Sequence, residues 1–300
     1  MAYVSAQPSI ARVLIYSATR DFRHDSIPTA VDALVAHGPA ANITFDHTED
    51  ETWFTDDRLR QYDGVVFLSN TGEVLNADEK AAFQRWLDLG GNFIGIHSAS
   101  DCLRNTTFFQ RELGAAFDYH PELQSAIVDV VGPSHPSTSM LPKDWSVRDE
   151  MYNFKSDPRS VGAVVILSAN ESSYTDPGPR KFDQGTPHPT AWFQEHGAGV
   201  DSNGTAGRSF YTSLGHLNET WQVRRYSLHG SRHGRDHLGA TIEYYSSFQL
   251  GRQGWKWYGR GYFELFSFGH EQRNRVRVSD FHQASCYVFR ANGARDQYLL

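Results

Sequence analysis

Residues 1–222 predict an α/β domain with a mostly parallel sheet covered on both faces by helices. Two observations carry this. Short apolar runs of strand length alternate with longer stretches whose apolar residues recur at helical spacing. The runs are continuously apolar rather than alternating, which is the pattern of strands buried on both faces.

The first run, residues 11–18, is rich in β-branched and aliphatic side chains and reads as a buried strand. Ile27, Val31, Leu34 and Val35 follow at helical spacing, and Gly38 closes that helix. Residues 43–45 and 64–69 are the next two strands. Asn76 with Glu79 forms a capping-box pattern, opening a helix whose buried stripe is Phe83, Trp86 and Leu87. Gly90-Gly91 ends it, and residues 92–97 form a fourth strand. Strands are also expected over 124–131, 161–168, 190–193 and 208–213, with a helix starting at 217–221. Residues 175–189, rich in Pro, Gly and charge, read as a surface loop.

The chain divides by charge. Up to Gln222 there are 16 Lys plus Arg against 29 Asp plus Glu, whereas from Val223 onward there are 12 against 6. The last part has no proline and 15 aromatic residues in 78, with no sustained periodicity. Residues 1–222 are therefore one domain and 223–300 a poorly ordered, aberrant tail. The tail's arginines and aromatics suit single-stranded nucleic acid only weakly, so neither a nucleic acid nor a membrane partner is expected. No apolar run reaches the length of a membrane span. Two cysteines, Cys102 and Cys286, make no disulfide framework. The polar start lacks the pattern of a signal peptide. Five of the nine asparagines before residue 223 nevertheless begin Asn-x-Ser/Thr triplets, a hint of secretion set against a cytoplasmic alternative.

In open α/β sheets, ligands bind beyond the carboxyl ends of the strands. There the sequence places Asp21-Phe22-Arg23-His24-Asp25-Ser26, His97-Ser98-Ala99-Ser100-Asp101 and Leu214-Gly215-His216. His120 and the pair Asp149-Glu150 can join them. Imidazole suits zinc and related metals, and a carboxylate can complete the set. Neutral histidine also moves protons near pH 7. Gly95-Ile96-His97-Ser98-Ala99 has the form of a nucleophile elbow, but His97 occupies the nucleophile slot and Ala99 replaces the second glycine. Thioester chemistry is closed to a histidine. A nucleophilic Ser98, or a Cys102 on a following helix, is the lesser alternative.

At these residues the sequence resembles the ThuA-like (trehalose utilisation) family of the class I glutamine amidotransferase-like superfamily. The resemblance also runs through Tyr119-His120-Pro121, His135-Pro136, Asp149-Glu150-Met151-Tyr152-Asn153-Phe154, Pro189-Thr190-Ala191-Trp192 and Tyr211-Thr212-Ser213-Leu214-Gly215-His216. It implies a flavodoxin-like three-layer α/β/α fold, a link to sugar or keto-sugar metabolism, and a metal-binding histidine cluster. It departs after Glu219-Thr220-Trp221, where the family continues into an acidic stretch and a closing helix. The tail here thus points to translated intron or shifted-frame sequence.

The resulting expectation is a metal-assisted enzyme acting on a small sugar, and not a functional glutamine amidotransferase. The candidate metal ligands are His24, His97, His216 and His120, with zinc the first choice and no nucleotide cofactor. The candidate catalytic groups are His97, Glu150 and Asp101. Arg23, Ser98, Tyr152 and Trp192 are the candidate substrate contacts. The alternative is a non-catalytic carbohydrate-binding module in which Trp192, Trp221 and Tyr152 stack on sugar rings.

Overall fold

The computed structural model describes residues 10–139 and 141–222, together with the backbone of strands at 240–243, 248–251, 254–257 and 262–265. Apart from those strands, the expectation for the tail lies outside the described residues. Two of the four pair with each other antiparallel, Phe248–Gly251 with Gly254–Trp257.

Nine strands form one central sheet: β1 (Ala11–Tyr16), β2 (Ile43–Thr48), β3 (Gly64–Leu68), β4 (Asn92–Ile96), β5 (Gln124–Val130), β6 (Trp145–Asp149), β7 (Val164–Ala169), β8 (Pro189–Gln194) and β9 (Ser209–Thr212). Their order is β2-β1-β3-β4-β9-β8-β7-β5-β6. The pairings from β2 to β9 are parallel, as expected of the βα half. Those from β9 to β6 are antiparallel, so the sheet is mixed. This second half was less legible because its strands follow one another without long amphipathic helices. The edge strand β6 was missed, since alternate residues of its Trp-Ser-Val-Arg-Asp run stay exposed and only Asp149 is buried.

The helices are α1 (Ile27–His37), α2 (Asp56–Leu59), α3 (Ala77–Asp88), α4 (Thr107–Leu113) and α5 (Asn218–Trp221). Successive strand residues face opposite sides, and they feed two cores. On one side Val13, Ile15, Val66, Leu68, Ile94 and Ile96 pack with Ile27, Ala30, Val31 and Leu34 of α1. On the other, Leu14, Tyr16, Val65, Phe67 and Phe93 pack with Phe83, Trp86 and Leu87 of α3 and with Phe109 and Leu113 of α4. The result is the expected three-layer arrangement. Phe67 stacks on Phe83 at 5.4 Å between ring centroids and meets Phe109 at 5.1 Å. Burying each such ring contributes about 1.5–3 kcal/mol.

Local signals hold where their chemistry is complete. The Asn76 side chain accepts from the backbone of Asp78 and Glu79, and the Glu79 carboxylate accepts in return from Asn76 N at 2.7 Å. Gly114 ends α4 at φ +107°, and a Cβ there would lie 2.4 Å from Trp192 Nε1. Among the described residues, no helix is long and apolar enough to cross a membrane.

One buried acid makes stability depend on pH. Glu112 of α4 is 1% exposed, accepts from Gly199 N at 3.0 Å, and leaves Oε1 without a partner. Burial raises its pKa to about 7, opposed by the Gly199 contact and assisted by Asp88. The folded value lies above the ordinary one, so protonated Glu112 favours the fold. That contribution is complete below about pH 4.5 and is lost as pH rises to about 7. The loss is about 3 kcal/mol. Glu112→Gln should flatten this dependence and gain about 2–3 kcal/mol at pH 8 in urea unfolding. Equal slopes between pH 5 and 8 for both chains would contradict it.

Candidate metal centre

The site is assembled where four chain segments leave the sheet. Strands β4 and β9 are neighbours in parallel register, with Ile96 opposite Thr212. The next residues, His97 and Ser213, therefore lie side by side, and His97 Nδ1 sits 2.6 Å from the Ser213 carbonyl. A carbonyl only accepts, so Nδ1 carries a proton and Nε2 is turned toward the other groups of the cluster. This orientation of one imidazole nitrogen by a backbone carbonyl is the usual support of a metal-ligating histidine.

His97 is fully buried and has φ +54°, a left-handed conformation that side chains other than glycine seldom adopt. The elbow geometry read from the sequence is thus present. Gly95 permits it, since a Cβ there would fall 2.8 Å from Leu113 Cδ1. Beyond β9, Gly215 at φ +147° passes so close that a Cβ would lie 3.2 Å from His97 Cβ.

The other groups converge on His97 Nε2. His24, in the segment after β1, places Nε2 at 3.0 Å from it. Tyr152 OH lies at 3.0 Å and Glu150 Oε2 at 3.5 Å. His216 Nδ1 is 3.1 Å from Glu150 Oε2, yet it is out of hydrogen-bonding alignment and is otherwise unpartnered. One donor atom from each of His24, His97, Glu150 and His216 lies within 4.8 Å of the others. Ligands around one zinc at about 2.0–2.2 Å stand roughly 3–3.5 Å apart. The donor types and the closest separations fit a divalent cation.

Electrostatics favour a neutral His24 and an ionised Glu150, and draw His216 toward its protonated form. Burial lowers the His24 pKa to about 3, and the neighbouring His97 and His216 lower it further. Burial opposes ionisation of Glu150, but contacts with His216 and His97 outweigh it and hold the carboxyl well below its usual range. His216 is raised by Glu150, against the effect of burial. Asp149, which the sequence offered only as Glu150's neighbour, proves to be the brace of the site. Its Oδ1 accepts from Glu150 N at 2.8 Å and its Oδ2 from Gly215 N at 2.9 Å.

The remaining candidates divide. His120 is exposed, with Nε2 3.5 Å from Glu150 Oε1 and its ring stacked on that of Tyr152 at 5.6 Å between centroids. Ser98 Oγ lies 3.3 Å from His24 Nδ1. The depressed His24 is a weak base for activating that hydroxyl. Arg23 is exposed and paired with Glu49 at 2.7 Å. Asp101 is paired with Arg104 through two contacts of 2.8 Å. Trp192 requires a correction: it is fully buried in the core with its N–H on Leu113 O, and shows no face to a sugar. Trp221 is half-buried and donates to Gly215 O at 3.0 Å. Cys102 also requires one: it lies in a two-residue bridge rather than on a helix, and burial raises its thiol pKa far above the range of a nucleophile.

A family model for ThuA, described as trehalose utilisation, matches residues 12–232. The chain belongs to the ThuA family. The match passes ten residues beyond the boundary expected at 222. Solved ThuA-like structures share the fold. One, from Bacteroides uniformis, is 21% identical with a TM-score of 0.55, and the match covers 71% of this chain and 85% of that one. Another, from Parabacteroides merdae, is 16% identical with a TM-score of 0.51, covering 70% and 80%. No curated protein matches the chain. These ThuA-like structures show the fold of the domain.

Proposed function

We propose that His24, His97, Glu150 and His216 bind a divalent cation, zinc first, in an enzyme acting on a small sugar or keto-sugar. The observation that carries this reading is the convergence of three imidazoles and one carboxylate at one point beyond the strand ends. The family's description, trehalose utilisation, supplies the sugar. A cation bound there would polarise a carbonyl oxygen or lower the pKa of water.

The chain's own groups supply the rest. The Ser213 carbonyl fixes the tautomer of His97 and aims its Nε2 inward. Tyr152 OH, 3.0 Å from that nitrogen, holds a proton, because burial raises its pKa far above the ordinary phenol. Glu150 faces the cluster through Oε2 and His120 through Oε1. His120 Nε2 is thereby placed to pass a proton between Glu150 and solvent. With Trp192 in the core, the binding-module alternative loses one of the three aromatics that favoured it.

Thermal unfolding of the full chain tests this reading. Zinc at 100-fold above its Kd should stabilise by about 2.7 kcal/mol, and a chelator should lower Tm by about 5–10 °C relative to that state. Identical Tm values with chelator and with zinc, manganese, nickel or iron would remove the metal from the reading.

A further inference from the structure

Phe22 stands at the edge of the metal cluster, 64% exposed, with its ring centroid 4.8 Å from that of His24. An isolated exposed phenylalanine is ordinary on a protein surface. This one differs in where it stands and in how firmly it is held. Its carbonyl accepts from Thr71 Oγ1 at 2.6 Å, and Arg20 N donates to Thr71 O at 2.8 Å. The charged residues around it are tied to partners: Arg20 to Glu51 at 2.8 Å, Asp21 to Arg104 at 2.9 Å and Arg23 to Glu49 at 2.7 Å. The segment is thus braced from several sides, while its one aromatic ring is left facing water beside a buried ligand.

We propose that Phe22 is the stacking platform for the sugar ring of the substrate, an assignment that rests on the sugar-directed reading of this site. A pyranose has a C–H face that packs on an aromatic ring and a rim of hydroxyls that needs donors and acceptors. Phe22 offers the first, and the ion pairs Arg23–Glu49 and Asp21–Arg104, whose Asp21 and Arg23 flank it in the chain, offer polar groups for the second. A ring seated on Phe22 lies one aromatic contact from His24, which itself is 4.5 Å from His97 between centroids. Binding and chemistry are then adjacent, and the preset backbone limits the ordering cost of association.

The probes are trehalose and methyl α-glucoside, titrated calorimetrically into the zinc-treated full chain, with zinc content measured in parallel. Phe22→Ala should weaken binding about tenfold, and Phe22→Leu, which keeps bulk without a π face, should weaken it similarly. Phe22→Trp should retain it. Zinc content should be the same in all four chains. Wild-type affinity in Phe22→Ala, or full retention in Phe22→Leu, would overturn the platform. A wild-type chain that holds zinc but binds neither probe would overturn it too, and would leave the metal reading standing. A wild-type chain without zinc that still binds sugar through Phe22 would end the metal reading and keep the platform.

Discussion

His97→Ala should lower zinc affinity by about 100-fold or more, read by competition with a chromogenic chelator. Structural zinc sites are worth about 10–16 kcal/mol shared among four ligands, or roughly 3 kcal/mol each. His97 is the central one, in contact with His24, Glu150 and Tyr152 at 3.0, 3.5 and 3.0 Å. The backbone complicates the choice of variant, because φ at this residue is +54°. Asparagine tolerates that region better than alanine, so His97→Asn serves as the folding control. Both variants should lose zinc, and His97→Asn should keep more of the stability. Zinc affinity within a few-fold of the wild type in either would show that the cluster is a hydrogen-bonded core.

Asp149→Ala should destabilise the domain by about 3–5 kcal/mol, a Tm loss of roughly 6–20 °C. The carboxylate is 1% exposed and accepts from three backbone amides, those of Glu150, Gly215 and His216. Alanine leaves all three donors buried and unpaired. Asp149→Asn should not rescue fully. One side of the amide must turn its NH2 toward a backbone N–H, either that of Gly215 or those of Glu150 and His216. Both variants should also weaken metal binding, since the same amides set the positions of Glu150 and His216. An Asp149→Asn chain as stable as the wild type would contradict the bracing role.

The parallel half of the fold was legible because each strand is a continuous apolar run followed by an amphipathic helix. The Asn76–Glu79 capping box was legible residue by residue. The antiparallel half was less so: β6 is an exposed edge, where one face gives no apolar signal. Positions just after strands foretold His24, His97 and His216, since topology fixes where strand ends gather. Glu150 was expected both as a carboxylate that could join the histidines and as a catalytic group, and its Oε2 lies among the imidazoles. Asp149 was not separable from it by sequence, because only the crossing of the loop after β9 reveals which of two adjacent carboxylates accepts from the backbone amides and which faces the histidines. Trp192 failed for a general reason: an aromatic in a family motif serves the core as readily as a ligand, and only burial decides. Phe22 is the converse, an aromatic whose exposure the sequence could not show.

The central claim is that His97 and its neighbours form a metal site in a converted elbow. The most direct test is an anomalous difference map at the zinc edge from crystals of the zinc-treated full chain. The expected result is one strong peak bounded by His24, His97, Glu150 and His216, absent in crystals of the His97→Asn variant. A map with no peak among these four side chains, or with the same peak in both crystals, would contradict the claim.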